Sequence, residues 1–105
     1  MTTESIRDLA RRLVNEADAD FQIEAIDYAE RDSRFEGGNL VRVVRVWFGG
    51  DYADYGIALS VLDGTGEVWG ATPLHAEDGT AVTDEDGDVA DALHAIARHA
   101  MRHAE

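Results

Sequence analysis

Four histidines and one acidic run are the residues here whose types and spacing could do chemistry. Residues 83–91 read TDEDGDVAD and put five carboxylates into nine positions. Asp84, Asp86 and Asp88 stand at the first, third and fifth positions of an EF-hand loop, a spacing that lets alternating carboxylates converge on calcium. Such a loop also needs glycine at its sixth position and a bidentate glutamate at its twelfth. Val89 and Ala95 stand there instead, which excludes an EF-hand. His99 and His103 are one helical turn apart and could share a metal. No carboxylate lies at a helical position to complete that pair, and His94 falls on the opposite flank of the helix. Imidazolium near a helix end also complements the negative end of its dipole. His75 could act as a general base, but no nucleophile accompanies it.

Other catalytic signatures are missing from the sequence. It has no glycine-rich phosphate loop, no nucleophile elbow and no zinc-protease histidine pair. Without cysteine there is no disulfide framework, thiolate metal site or cysteine nucleophile. The expectation is a non-enzymatic protein with no cofactor, no catalytic residue and no metal.

Charge carries more information. The net charge is −13, and all nine basic residues are arginine. Residues 1–50 hold seven arginines against ten acids, whereas residues 51–105 hold two against twelve. No basic residue lies between Arg45 and Arg98. Binding to DNA, RNA or anionic lipid requires clustered positive charge, so those partners are disfavoured. A partner with a basic surface would be drawn in.

The elements that must position these residues follow from hydrophobic period. Ile6, Leu9, Ala10, Leu13 and Ala17 keep helical spacing after Thr2 or Thr3, with Asp8–Arg12 and Arg12–Glu16 as i,i+4 pairs on the wet face. Residues 21–35 begin in alternation at Phe21, Ile23 and Ala25, then change phase to Ile26 and Tyr28, which predicts a bulge inside a first strand. Residues 40–48, LVRVVRVWF, are apolar on both faces and predict a central strand, with Arg42 and Arg45 on opposite sides. Residues 55–62 alternate Tyr55, Ile57, Leu59 and Val61 on one face. DGTG at 63–66 predicts a tight turn into a fourth strand, 67–76, which Pro73 assigns to a sheet edge. A second DGT at 78–80 leads towards a short fifth strand, AVT. Val89, Leu93, Ile96 and Ala100 define the stripe of a last helix from about Asp86 to Ala104, capped by Thr83 or Asp84. Trp47 and Trp69 are expected to pack on the sheet.

The predicted fold is one α+β domain over residues 1–105: an antiparallel sheet in the order α-β-β-β-β-α, covered on one face by its N- and C-terminal helices. That order is similar to the α-β-β-β-α topology of the double-stranded-RNA-binding domain. Those domains open their last helix with basic residues. The corresponding stretch here is DEDGD, so RNA binding does not carry over.

No stretch approaches the length of a membrane span and the start is polar, which leads us to expect a cytoplasmic protein. Helix capping accounts for two or three acids of the 83–91 run, not five. The surplus points to an acidic contact surface comprising Asp51, Tyr52, Asp54, Glu77, Asp78, Asp84, Glu85, Asp86, Asp88 and Asp91. Tyrosine beside carboxylate on the 49–56 loop suits a protein-binding tip; the other reading is an ordinary hairpin loop with Tyr55 packed inward. The function expected first is nucleic-acid mimicry that blocks the basic groove of a DNA- or RNA-binding complex, as phage-encoded inhibitors of CRISPR or restriction defence do. The alternative is a small regulatory or binding protein of a halophile, acidic as an adaptation to salt. A second apolar sheet face would also allow a homodimer.

Overall fold

The computed structural model describes residues 6–17, 21–36, 39–62, 67–83 and 87–103; the side chains of residues 6, 7, 27–36, 39 and 103 lie outside that description. Helix α1 spans Ile6–Ala17, followed by β1 (Ile23–Glu36), β2 (Asn39–Phe48), a 3-10 turn at Gly50–Tyr52, β3 (Tyr55–Leu62), β4 (Val68–His75) and helix α2 (Val89–His103). The predicted α-β-β-β-β-α order and antiparallel sheet are both present. The four strands lie in sequence order, so β2 and β3 are central and β1 and β4 form the edges.

Both helices pack on one face of the sheet. Val44, Val46 and Phe48 of β2, together with Tyr55, Ile57, Leu59 and Val61 of β3, are buried with Leu9, Ala10 and Val14 of α1 and Val89, Leu93 and Ile96 of α2. Burying each large aliphatic side chain contributes roughly 1.5–3 kcal/mol. Val14, which the predicted stripe leaves out, is fully buried one turn beyond Ala10. The Arg12–Glu16 pair forms on the exposed side of α1 at 3.4 Å.

The phase change in β1 is a real irregularity. Ile23 faces Phe48 while Ala25 faces Trp47, so Glu24 is an extra residue on β1, and a larger register shift follows between Ala29 and Arg34. β2 and β3 pair without interruption, Arg42 opposite Val61 and Arg45 opposite Ala58, which puts the two arginines on opposite faces. On the face away from the helices Trp47 lies beside Gly56. A Cβ on Gly56 would come within 2.4 Å of the indole, so only glycine lets the ring approach this closely.

Pro73 sits on an edge strand for a reason that the hydrogen bonds make plain. Ala71 and His75 donate their N–H groups outward, to the carbonyls of Gly87 and Thr80, at 2.9 and 2.8 Å. Pro73 falls between them in the same outward phase, where an N–H is dispensable. The expected fifth strand is reduced to isolated bridges, Leu74 with Ala81 and Ala71 with Gly87. α2 begins at Val89, later than the expected Asp86, and its cap is Asp88 in place of the expected Thr83 or Asp84.

Candidate functional site

The expected contact residues form two groups. In the β2–β3 loop Asp51 and Asp54 are exposed, and the Asp54 carbonyl accepts the Ala76 N–H at 2.8 Å. This bond ties the loop to the turn after β4, where Glu77 and Asp78 are exposed. Those four carboxylates therefore share one end of the sheet. Tyr52 is half-buried, its ring stacked on Phe21 at 4.0 Å between centroids and 15° between planes. One face of that ring is thus committed to the core. Asp78 accepts from the Thr80 hydroxyl at 2.7 Å and from the Thr80 N–H at 3.0 Å. These bonds, the hydroxyl first, hold its carboxyl below the usual range. Gly79, at φ +73°, makes the turn possible.

Asp88 and Asp91 form the second group. Gly87, next to Asp88, bridges to Ala71, four residues before His75 on β4. At ~3.3 Å per residue the two groups lie roughly 13 Å apart along the strand. Asp84, Glu85 and Asp86 lie outside the described residues.

The start of α2 is a reciprocal cap. The Asp91 N–H donates to Oδ1 of Asp88 at 2.9 Å, and the Asp88 N–H donates to Oδ2 of Asp91 at 3.3 Å. Two backbone donors that the helix would otherwise leave open are satisfied, and both carboxylates complement the positive end of the dipole. Each carboxylate keeps one oxygen outside this exchange. Beside the cap a cavity of about 450 Å³ opens between the end of α1, the start of β4 and the start of α2. Leu13, Ala17, Val68 and Val89 line it together with Trp69, Glu16 and Asp88. Trp69 sits where the β3–β4 register slips between Ser60 and Val61, and it is 43% exposed rather than packed on the sheet as expected.

At the other end of α2 the fold assembles a cluster that the sequence does not announce. Tyr55 and His75 are register partners on β3 and β4, and His99 of α2 packs against both. The Tyr55 hydroxyl lies 2.8 Å from Nδ1 of His99. The rings of His75 and His99 meet edge to face at 5.0 Å. Burial, with a smaller contribution from the Asp54 carboxylate, pushes the Tyr55 phenol above its ordinary value. The phenol therefore keeps its proton, and the tautomer of His99 sets which of the two atoms donates across this bond. A phenol held protonated is a weak nucleophile, so this geometry pins helix to sheet more readily than it activates an attacking group. His94 is exposed on the far flank of α2, and the side chain of His103 lies outside the described residues.

His99 also lines a groove of about 280 Å³ with Thr83, Arg98 and Arg102. These arginines are the two bases of residues 51–105. Among the described residues no group of three or more His, Cys, Asp or Glu is arranged to hold a metal ion, and no helix is long and apolar enough to cross a membrane.

Sequence spacing gives no route to the pairing of His75 with His99, which depends on α2 docking on β4. The usable signal is the Tyr55–His75 strand register, which two well-placed hairpins would supply. Fold and surface together define the class: an α+β domain with two helices on one face of a four-stranded antiparallel sheet and carboxylates at both ends of its β4–α2 side. No family model, no curated protein and no solved structure matches the chain.

Proposed function

We propose that this protein is a non-enzymatic, acidic protein-binding domain, a nucleic-acid mimic that occupies the basic groove of a DNA- or RNA-binding complex. Inhibitors that phages direct against CRISPR or restriction complexes are the functional class it would join. The observation that carries the reading is the exposure of Asp51, Asp54, Glu77, Asp78, Asp88 and Asp91 within a stretch, residues 46–97, that contains no basic residue. Exposed carboxylates can stand in for phosphates and draw a basic groove in by long-range attraction.

The test uses a purified basic nucleic-acid-binding protein. We expect binding that DNA competes away, that weakens as salt rises, and that falls when Asp51, Asp54, Glu77 and Asp78 are neutralised together. Binding indifferent to DNA and salt would exclude mimicry.

One feature favours a second reading, adaptation to high salt: lysine is absent and aspartate outnumbers glutamate. Circular dichroism at ~50 mM salt separates the two, because charges are then screened only beyond roughly 14 Å. A mimic is folded there. A halophilic protein unfolds and recovers in molar salt.

A further inference from the structure

We infer that the cavity between the end of α1 and the start of α2 receives an arginine side chain presented by a basic protein surface. This inference rests on the reading above and gives it an anchor point. A charged surface alone attracts without fixing a position, whereas this cavity combines three features that together select one side chain. Its floor is apolar, formed by Leu13, Ala17, Val68 and Val89. Its rim carries Trp69, which the β-bulge turns outward; with Met101 it is one of the large hydrophobic side chains exposed among the described residues. Carboxylates reach it from both helices: Asp88 from α2, and Glu16 from α1, whose Oε1 is paired with Arg12 at 3.4 Å.

Arginine answers all three features. Its aliphatic stem covers apolar surface while its charged head stays near water. Its planar guanidinium stacks on an indole face and forks towards carboxylates, which a lysine ammonium cannot do. The capping box occupies Oδ1 of Asp88 and leaves the other oxygen for a ligand. An apolar side chain in the same place would strip water from the Asp88 carboxylate with no compensation. At about 450 Å³ the cavity falls within the ~300–1,000 Å³ range of small-ligand pockets, so it suits one long side chain better than a helix or strand.

The probes are a dye-labelled arginine–glycine repeat peptide and its lysine–glycine counterpart of equal charge. Binding to the full chain is followed by anisotropy at ~150 mM salt, where the screening length is about 8 Å. We expect the arginine peptide to bind more tightly than the lysine peptide. Trp69→Ala is expected to weaken the arginine peptide roughly tenfold, with Trp69→Phe retaining most of the affinity. Glu16→Gln and Asp88→Asn each lower it several-fold; asparagine still caps the helix, so circular dichroism remains unchanged.

Equal binding of the two peptides, unaffected by Trp69→Ala, would overturn the pocket and leave the acidic-surface reading standing. Binding of neither peptide would sink both. Self-association of the wild type that Trp69→Ala abolishes would make a second copy the occupant and overturn the assignment to a basic partner.

Discussion

At its first turn α2 meets its surroundings through two carboxylates that remain in water; towards its last turns it meets the sheet through a tyrosine and two imidazoles partly withdrawn from water. The first arrangement uses one oxygen of each carboxylate, and the second oxygen of Asp88 stays open beside a cavity rimmed by Trp69. The second joins Tyr55 directly to His99 and packs His75 against it. Both satisfy polar groups that the fold would otherwise strand, but only the first leaves charge for something outside the chain. In a sequence with so many acids, counting them says little. What a group can still bind depends on how much of it the fold has already used.

The largest expected effect tests what the two ends share. Leu93 is 0% exposed between them, and Leu93→Ala should cost about 2–5 kcal/mol in urea denaturation, loosening both ends together. Tyr55→Phe comes next. It removes the hydroxyl bonded to Nδ1 of a part-buried His99, for an expected loss of ~1–2 kcal/mol. The same variant has a pH signature. Because the folded state raises the phenol pKa, the associated stability is fully present below the ordinary value and is lost as pH rises through the higher folded value. Denaturation midpoints measured on either side of about pH 10 should therefore fall in the wild type and fall less in Tyr55→Phe.

At the start of α2 the expected losses are smaller. Asp88→Ala should cost about 1 kcal/mol and Asp88→Asn only a few tenths, read from thermal melts. A cap variant as damaging as Tyr55→Phe would erase the contrast between the two ends. The smallest effect concerns Asp78. Its folded pKa is depressed, so its contribution is present above the ordinary carboxylate range and is lost as pH falls through the lower folded value. NMR titration of Thr80→Ala should move the Asp78 pKa back up towards that of an ordinary carboxylate, because the hydroxyl bond is its main cause.

Local features of the fold were readable in the sequence because local physics sets them. The alternation of Tyr55, Ile57, Leu59 and Val61 became the buried face of β3, and the phase change after Ala25 became a bulge at Glu24. Pro73 marked an edge because its missing N–H forbids an interior place. The start of α2 was misjudged for a chemical reason. Several acids in succession all resemble caps, and the pair that closes the box carries aspartate at its fourth position, where glutamate or glutamine is the usual sign. Tyr52 on Phe21 and His75 on His99 were illegible because each pair is brought together by packing between distant segments. Trp69 escaped for the opposite reason. A one-residue slip in β4 turned outward a side chain that regular alternation would have covered.

The outer margin of β4 has a consequence for solubility. A foreign strand arriving there would find the donors of Ala71 and His75 already taken by Gly87 and Thr80, and at Pro73 no donor at all. The turn of residues 76–83, together with Gly87, thus acts as a selvedge, closing the β4 edge of the sheet to fibre growth by strand addition. Val82→Pro, which removes the N–H that Val82 donates to the Pro73 carbonyl at 2.8 Å, would unpick that hem while leaving α2 in place. The variant should form thioflavin-positive aggregates at concentrations where the parent chain stays clear.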